Sequence, residues 1–249
     1  MYQEERIYQI LKLLKEKRTL SNQEIMDLFG ISRDTARRDI VRLVEEGVAV
    51  RTHGGITMPA LHSEIVPYKK RLPMNLEVKK QLAQKAAGLF RPGQLCFMDA
   101  ATTVAQIYSH IPKDVTVYTN SCDNITCFEN NGCEVHIMGG RLDTSNYFVY
   151  GSEVLNQMDG IRFDMAFLGA ASINEDGIYV EDQEDAFVKR KAAQRAAVVC
   201  VIADDSKYLK TSRFRSVSFE QLDILITNQL PPEEVQQRMK EAGVKIKIF

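Results

Sequence analysis

The chain has 249 residues, 45% of them apolar and 26% charged, with a formal net charge of −1, which excludes a disordered, fibrous or strongly basic protein. That length is enough for two domains with real cores. Residues 1–58 hold ten Lys+Arg against nine Asp+Glu, leaving 22 against 24 for the rest, so any DNA-binding surface must concentrate its charge on one face.

The opening MYQEERIYQILKLLKEKR has no apolar run ahead of a small-residue cleavage site, and no stretch approaches ~18 consecutive apolar residues. A cytoplasmic protein without a membrane partner is expected. Ile7, Ile10, Leu11, Leu13 and Leu14 recur at helical spacing and predict an amphipathic helix over about 4–17. Ser21 followed by Glu24 is a capping box for a second helix, with Ile25, Leu28 and Phe29 as its buried face and Gly30 as its left-handed stop. Ser32 caps a third helix that runs to Glu46 and ends at Gly47. At 100° per residue Ala36, Ile40, Leu43 and Val44 form its core stripe; Asp34, Thr35, Arg38, Arg42 and Glu45 lie opposite, with Arg33 and Arg37 close by.

Such a helix fits the major groove of double-stranded DNA, where arginine can donate twice to guanine and threonine can meet a thymine methyl. The alternative is a solvated surface laced by pairs such as Asp39 with Arg42. Next, Val48-Ala49-Val50 and Arg51-Thr52-His53 read as two extended pieces ending in Gly54-Gly55, a ribbon that could set Arg51 and His53 on the backbone or minor groove. Ser32, Arg33, Thr35, Arg37, Arg38, Arg51 and His53 are therefore the candidate DNA contacts. The stretch TARRDIVRLVEEG followed by RTHGG resembles the DNA-binding signature of the DeoR family of bacterial transcription regulators, with Ala36 where the family carries isoleucine.

Residues 58–75, rich in proline and aperiodic, read as a linker between a winged helix-turn-helix at 1–57 and a second domain at 76–249. There a helix through Val78, Leu82, Ala86 and Phe90 precedes the apolar strands LCFM, VTVY, VHIM, MAFL, VVCVIA and ILIT, alternating with helical segments: a mainly parallel α/β domain. Small, hydroxylic and amide residues follow these strands, where open α/β sheets bind ligands. Thr102 and Thr103 open a helix and could cradle a phosphate; Lys79, Lys189 and Lys207 are candidate countercharges; Asp99, Glu184 and Asp204 could accept sugar hydroxyls. Asp99 and Asp204 could equally cap turns, and the lysines could be solvated.

The resemblance to the DeoR family extends here through Lys79, DAATT with Asp99, TNS with Asn120 and Ser121, the glycines Gly139 and Gly140, EDAFVKR from Glu184 to Arg190, and DDSKY. It implies a fold similar to ribose-5-phosphate isomerase and glucosamine-6-phosphate deaminase, used to sense a phosphorylated sugar. Ala101 departs from the family's glycine, and its methyl would oppose close backbone approach to a phosphate. The reading is a regulator, most simply a repressor of a carbohydrate-utilisation operon, at least dimeric for two-fold DNA recognition. The alternative is an isomerase or deaminase using Asp99, Glu184 and Lys207. Five cysteines without CxxC spacing predict reduced thiols, and no catalytic residue, cofactor or metal is expected.

Overall fold

A computed structural model describes residues 2–52, 54–58, 66–123, 132–208 and 210–249. Helices α1 (Gln3–Lys17), α2 (Asn22–Phe29) and α3 (Arg33–Glu45) pack around Ile7, Leu14, Ile25, Ala36, Ile40 and Leu43, all at most 2% exposed. Local chemistry sets their ends. Ser21 and Glu24 form the reciprocal capping box, Gly30 closes α2 at φ +60°, and Ser32 Oγ accepts from the Thr35 amide. Leu28 does not join the core: Ile25, Met26 and Phe29 fill the space facing α3, and Leu28 points outward, 54% exposed.

The wing is built differently from the expected ribbon. Val48 and Ala49 are buried and donate their amides to Leu43 O, closing α3 rather than opening a strand. A three-stranded sheet follows, ordered β1 (Thr19–Ser21), β3 (Gly55–Thr57), β2 (Val50–Thr52). The glycines lie inside it. Gly54 turns the hairpin at φ +104°, and Gly55 has the Leu20 carbonyl where a Cβ would stand. β1, contributed by the α1–α2 junction, has too few residues to announce itself in the sequence.

The stretch read as a linker is partly structured. Helical turn α4 (Tyr68–Arg71) buries Tyr68 completely. Beyond it come α5 (Leu76–Ala87), β4 (Leu95–Met98), β5 (Thr116–Thr119), β6 (Glu134–Ile137), β7 (Arg141–Asp143), β8 (Phe148–Tyr150), α6 (Ser152–Asp159) and β9 (Phe163–Gly169). The remaining elements are β10 (Ser172–Asn174), β11 (Gly177–Val180), α7 (Gln183–Arg195), β12 (Ala196–Ile202), β13 (Phe214–Ser218), β14 (Ile224–Thr227), α8 (Glu233–Glu241) and β15 (Lys245–Ile248). The main sheet is seven-stranded and parallel, ordered β15-β14-β12-β9-β4-β5-β6.

Alternation along β12 shows why its run is continuously apolar. Val199, Val201 and Ala203 face the core under α6, α7 and α8, while Val198, Cys200 and Ile202 face the core under α5. From β4 the chain moves outward through β5 and β6; from β9 it moves the other way through β12, β14 and β15. The β4–β9 boundary is thus the switch point, where a crevice opens beyond the carboxyl ends.

Candidate functional sites

On α3 the arginines are deployed as the helical spacing predicts. Arg33, Arg37 and Arg38 are exposed and have no ion pair within the described residues, as has Arg51 on β2. Ser32 and Thr35 are joined, hydroxyl to hydroxyl, at 2.9 Å. Their oxygens therefore shape the helix start before anything else. His53 lies outside the described residues.

The pairing of Asp39 with Arg42 does not occur. Asp39 is fully buried and takes Arg6 Nε at 2.6 Å, Arg6 Nη2 at 3.2 Å and Gln3 Nε2 at 3.0 Å, fixing α1 against α3. Arg42 instead reaches Asp205 of the second domain, Nη2 to Oδ2 3.3 Å, and Glu4, Nη1 to Oε1 3.6 Å. With Asp39 turned inward, the outer face of the first turns of α3 carries Arg33, Arg37 and Arg38 against Asp34, and is net cationic.

At the switch point Asp99 is buried and bonded on both oxygens: Oδ1 accepts from the Ala101 amide at 2.8 Å, Oδ2 from the Gly169 amide at 2.7 Å and from Lys189 Nζ. Lys189 also has Asp185 at 3.4 Å. Asp99 and Lys189, expected as ligand contacts, thus also form a network that ties β4, β9 and α7 together. The Ala101 methyl packs on the α-carbon of Gly169, where a side chain would collide. The alanine is accommodated by the glycine opposite it, and its methyl turns toward β9.

Around this staple the polar rim is unsaturated. Asn120 Oδ1, Ser121 Oγ, Ser172 Oγ, Ser212 Oγ and Asp204 Oδ2 are buried with no hydrogen-bond partner within the described residues. Asn120 and Ser121 end β5, Ser172 follows β9, and Asp204 follows β12, so most sit at carboxyl ends of the central strands. Asp204 Oδ1 is taken by Ser206, whereas Oδ2 has Lys207 Nζ only at 3.8 Å. Thr102 and Thr103, each 5% exposed, precede a 3-10 helix at Val104–His110, not an α-helix, and Thr103 does not cap it through its side chain.

Cations converge on the same rim. Lys79 is 3% exposed, donates to Arg71 O at 2.6 Å, and is pushed down to about 8 by burial and by the neighbouring Lys207, with Arg71 and Lys210 adding to the effect. Burial and Lys207 also lower Lys210, and burial lowers Arg71. Arg71 and Lys210 were not singled out from sequence. The first sits in a stretch read as linker, and the second lacks any motif; only burial in the fold marks them.

Three further expected residues have these surroundings. Gly139 has its amide on Gln157 Oε1 at 3.1 Å, and Gly140 is packed so tightly under the Tyr150 carbonyl that no side chain fits, so this pair serves the packing of β8 and α6. Glu184 is half-buried in the first turn of α7, its amide held by Asp182 at 2.8 Å. Among the described residues no cluster of His, Cys, Asp and Glu could hold a metal ion, and no helix is long and apolar enough to cross a membrane.

A winged helix-turn-helix with a cationic helix face, joined to a parallel α/β domain with an unsaturated polar rim at its switch point, is the architecture of a DNA-binding transcription regulator with a sensor domain. The chain belongs to the DeoR family: the model of the DeoR-like helix-turn-helix domain matches residues 6–60, and that of the DeoR C terminal sensor domain matches residues 74–229. It is 37% identical to the HTH-type transcriptional repressor GlcR of Bacillus subtilis over 99% of this chain and 96% of that protein. It is 25% identical to the glycerol-3-phosphate regulon repressor of Escherichia coli over all of both chains. Among solved structures, ribose 5-phosphate isomerase A of Methanocaldococcus jannaschii aligns at a TM-score of 0.40 and 15% identity, over 53% of this chain and 54% of that one.

Proposed function

We propose that this regulator is a cytoplasmic repressor of a carbohydrate-utilisation operon, at least dimeric on DNA, whose operator affinity is set by a phosphorylated sugar. One observation carries the effector reading. Four buried polar atoms without partners among the described residues, on Asn120, Ser121, Ser172 and Asp204, share the carboxyl-end rim with the buried Lys79 and the half-buried Lys207 and Lys210. Orphaned buried acceptors and hydroxyls cost about 1–3 kcal/mol each, and like charges held together cost more; an anionic polyol relieves both at once. In this reading the phosphate lies near Lys79 and Lys207 with Thr102 and Thr103, and the hydroxyls reach Asn120, Ser121 and Asp204. The resemblance to repressors, one of them named for a glycerol-3-phosphate regulon, supports the sign of control and the phosphorylated ligand.

The DNA contacts are assigned to Ser32, Arg33, Thr35, Arg37, Arg38, Arg51 and His53, and the domains to 1–57 and 76–249 about the segment 58–75. The winged helix-turn-helix, which an isomerase or deaminase would leave without a use, speaks against the enzymatic alternative. Footprinting on the region upstream of the chain's own gene, with and without ribose 5-phosphate and glucosamine 6-phosphate, tests the regulator. A protected site weakened by a sugar phosphate is expected, and absence of protection at modest salt sinks the proposal. Steady turnover of either sugar at enzymatic rates would establish the alternative.

A further inference from the structure

The sensor domain touches the DNA-reading helix itself. Arg42 lies one turn beyond Arg38 on the same face of α3, and it is tied to Asp205 at 3.3 Å. Asp205 is held rigidly from behind, its amide donating to Asn228 Oδ1 and its Oδ1 accepting from Asn228 Nδ2, both at 2.8 Å, at the carboxyl end of β14. One turn further along, Glu46 ends α3 half-buried, raised by burial and opposed by the charge of Lys210. Asp205 and Lys210 belong to the same short loop as Asp204 and Lys207. A single loop therefore faces the strand-end rim on one side and the recognition helix on the other.

The rest of the seam is loosely filled. Two cavities of about 200 Å³ each flank Tyr8 and Tyr208 between α1 and the sensor domain. Among the described residues, the ion pair across the seam besides Arg42 with Asp205 is Lys12 with Glu234 at 2.9 Å, and both of those side chains are well exposed. Surface pairs of that kind contribute little. A seam held by few polar ties above empty space can shift without breaking a core.

We propose that the Asp205–Arg42 pair relays occupancy of the rim to α3. With the rim empty it docks the helix in its operator-competent position; an anion on the rim draws Lys207 and Lys210 to itself, shifts the loop that carries Asp205 and loosens the dock. The relay rests on the effector reading above, whereas the docking does not. A phosphate carries about two negative charges near neutral pH and presents several acceptor oxygens, so it outcompetes a single carboxylate for a shared lysine.

The docking is tested without a ligand, by a double-mutant cycle on the footprinted operator duplex. Asp205→Asn preserves an acceptor for Asn228 and removes the charge that faces Arg42. It is expected to weaken operator binding about fivefold in the native background, to have no effect in the Arg42→Gln background, and to leave affinity for a random duplex unchanged. An equal loss in both backgrounds, or no loss in either, overturns the docking. The relay is then tested with ribose 5-phosphate and glucosamine 6-phosphate. A sugar that raises the melting temperature of the native protein and of Asp205→Asn alike, yet weakens operator binding only of the native protein, supports it. A full response by Asp205→Asn overturns the relay and leaves the effector reading standing. If neither sugar shifts the native protein, the effector reading and the relay fall together, and the cycle still decides the docking.

Discussion

At the residue scale, two neighbours on α3 do opposite work. Arg38 is exposed and has no ion pair among the described residues, so Arg38→Ala should cost about 0.5 kcal/mol or less in stability while abolishing operator binding. Asp39 is buried under Arg6 and Gln3, so Asp39→Ala strands a buried guanidinium and should destabilise the N-terminal domain by about 3–5 kcal/mol. Urea unfolding and operator titration of both variants separate the roles; a large stability loss for Arg38→Ala would make it structural. Lys79 supplies a pH prediction. Its folded value of about 8 lies below the ordinary 10.5, so between those values the unfolded chain binds more protons and this group's contribution to stability rises with pH. An anion beside Lys79 favours the protonated form. Sugar-phosphate affinity should therefore fall as pH climbs through about 8, with proton uptake on binding seen as a buffer-dependent calorimetric enthalpy.

At the scale of elements, glycines and short strands carry the geometry. Gly169 exists to receive the Ala101 methyl, and the two positions should compensate. Gly169→Ala alone is expected to destabilise by about 1–3 kcal/mol through overpacking, and the double variant with Ala101→Gly to recover most of that loss in denaturant melts. Simple additivity would show that the contact is not the cause. Gly55 is a similar case at the wing: its missing side chain lets β3 pair with β1 beside the Leu20 carbonyl. The RTHGG motif was legible as a wing, but its pairing was not. Strands of three residues have no period to read, and β1 comes from the far side of two helices.

At the scale of the whole molecule, two unlike domains meet through Arg42, and one of them must pair with a second copy if the DNA is read two-fold. The operator should then hold inverted half-sites spaced by about one helical turn, ~10–10.5 base pairs, or a multiple of it, and sedimentation should show at least a dimer at the concentrations that bind it. A monomer bound to a single half-site would refute this. Because phosphate contacts dominate affinity, removing one arginine that meets a phosphate should lessen the slope of log affinity against log salt by about 0.9. Arg51→Ala on the wing is the variant to measure, since its side chain is exposed and unpaired.

Most of the fold was readable in advance, because helix caps, the 3.6-residue stripe of α3 and the apolar strand runs are local signals that survive in one dimension. The residues gathered at strand ends were readable for the same reason: each strand announces its own carboxyl end. What each of them does was decided only in three dimensions. Asp99 and Lys189 read as ligand groups and also hold each other; Arg71 and Lys210 carried no motif and stand half-buried among the rim's cations; Arg42 read as part of a solvated helix and pairs with the sensor domain. A side chain's type and spacing are properties of the sequence, but its partners are chosen by which distant segment folding brings beside it, and for charged groups the partner decides the role.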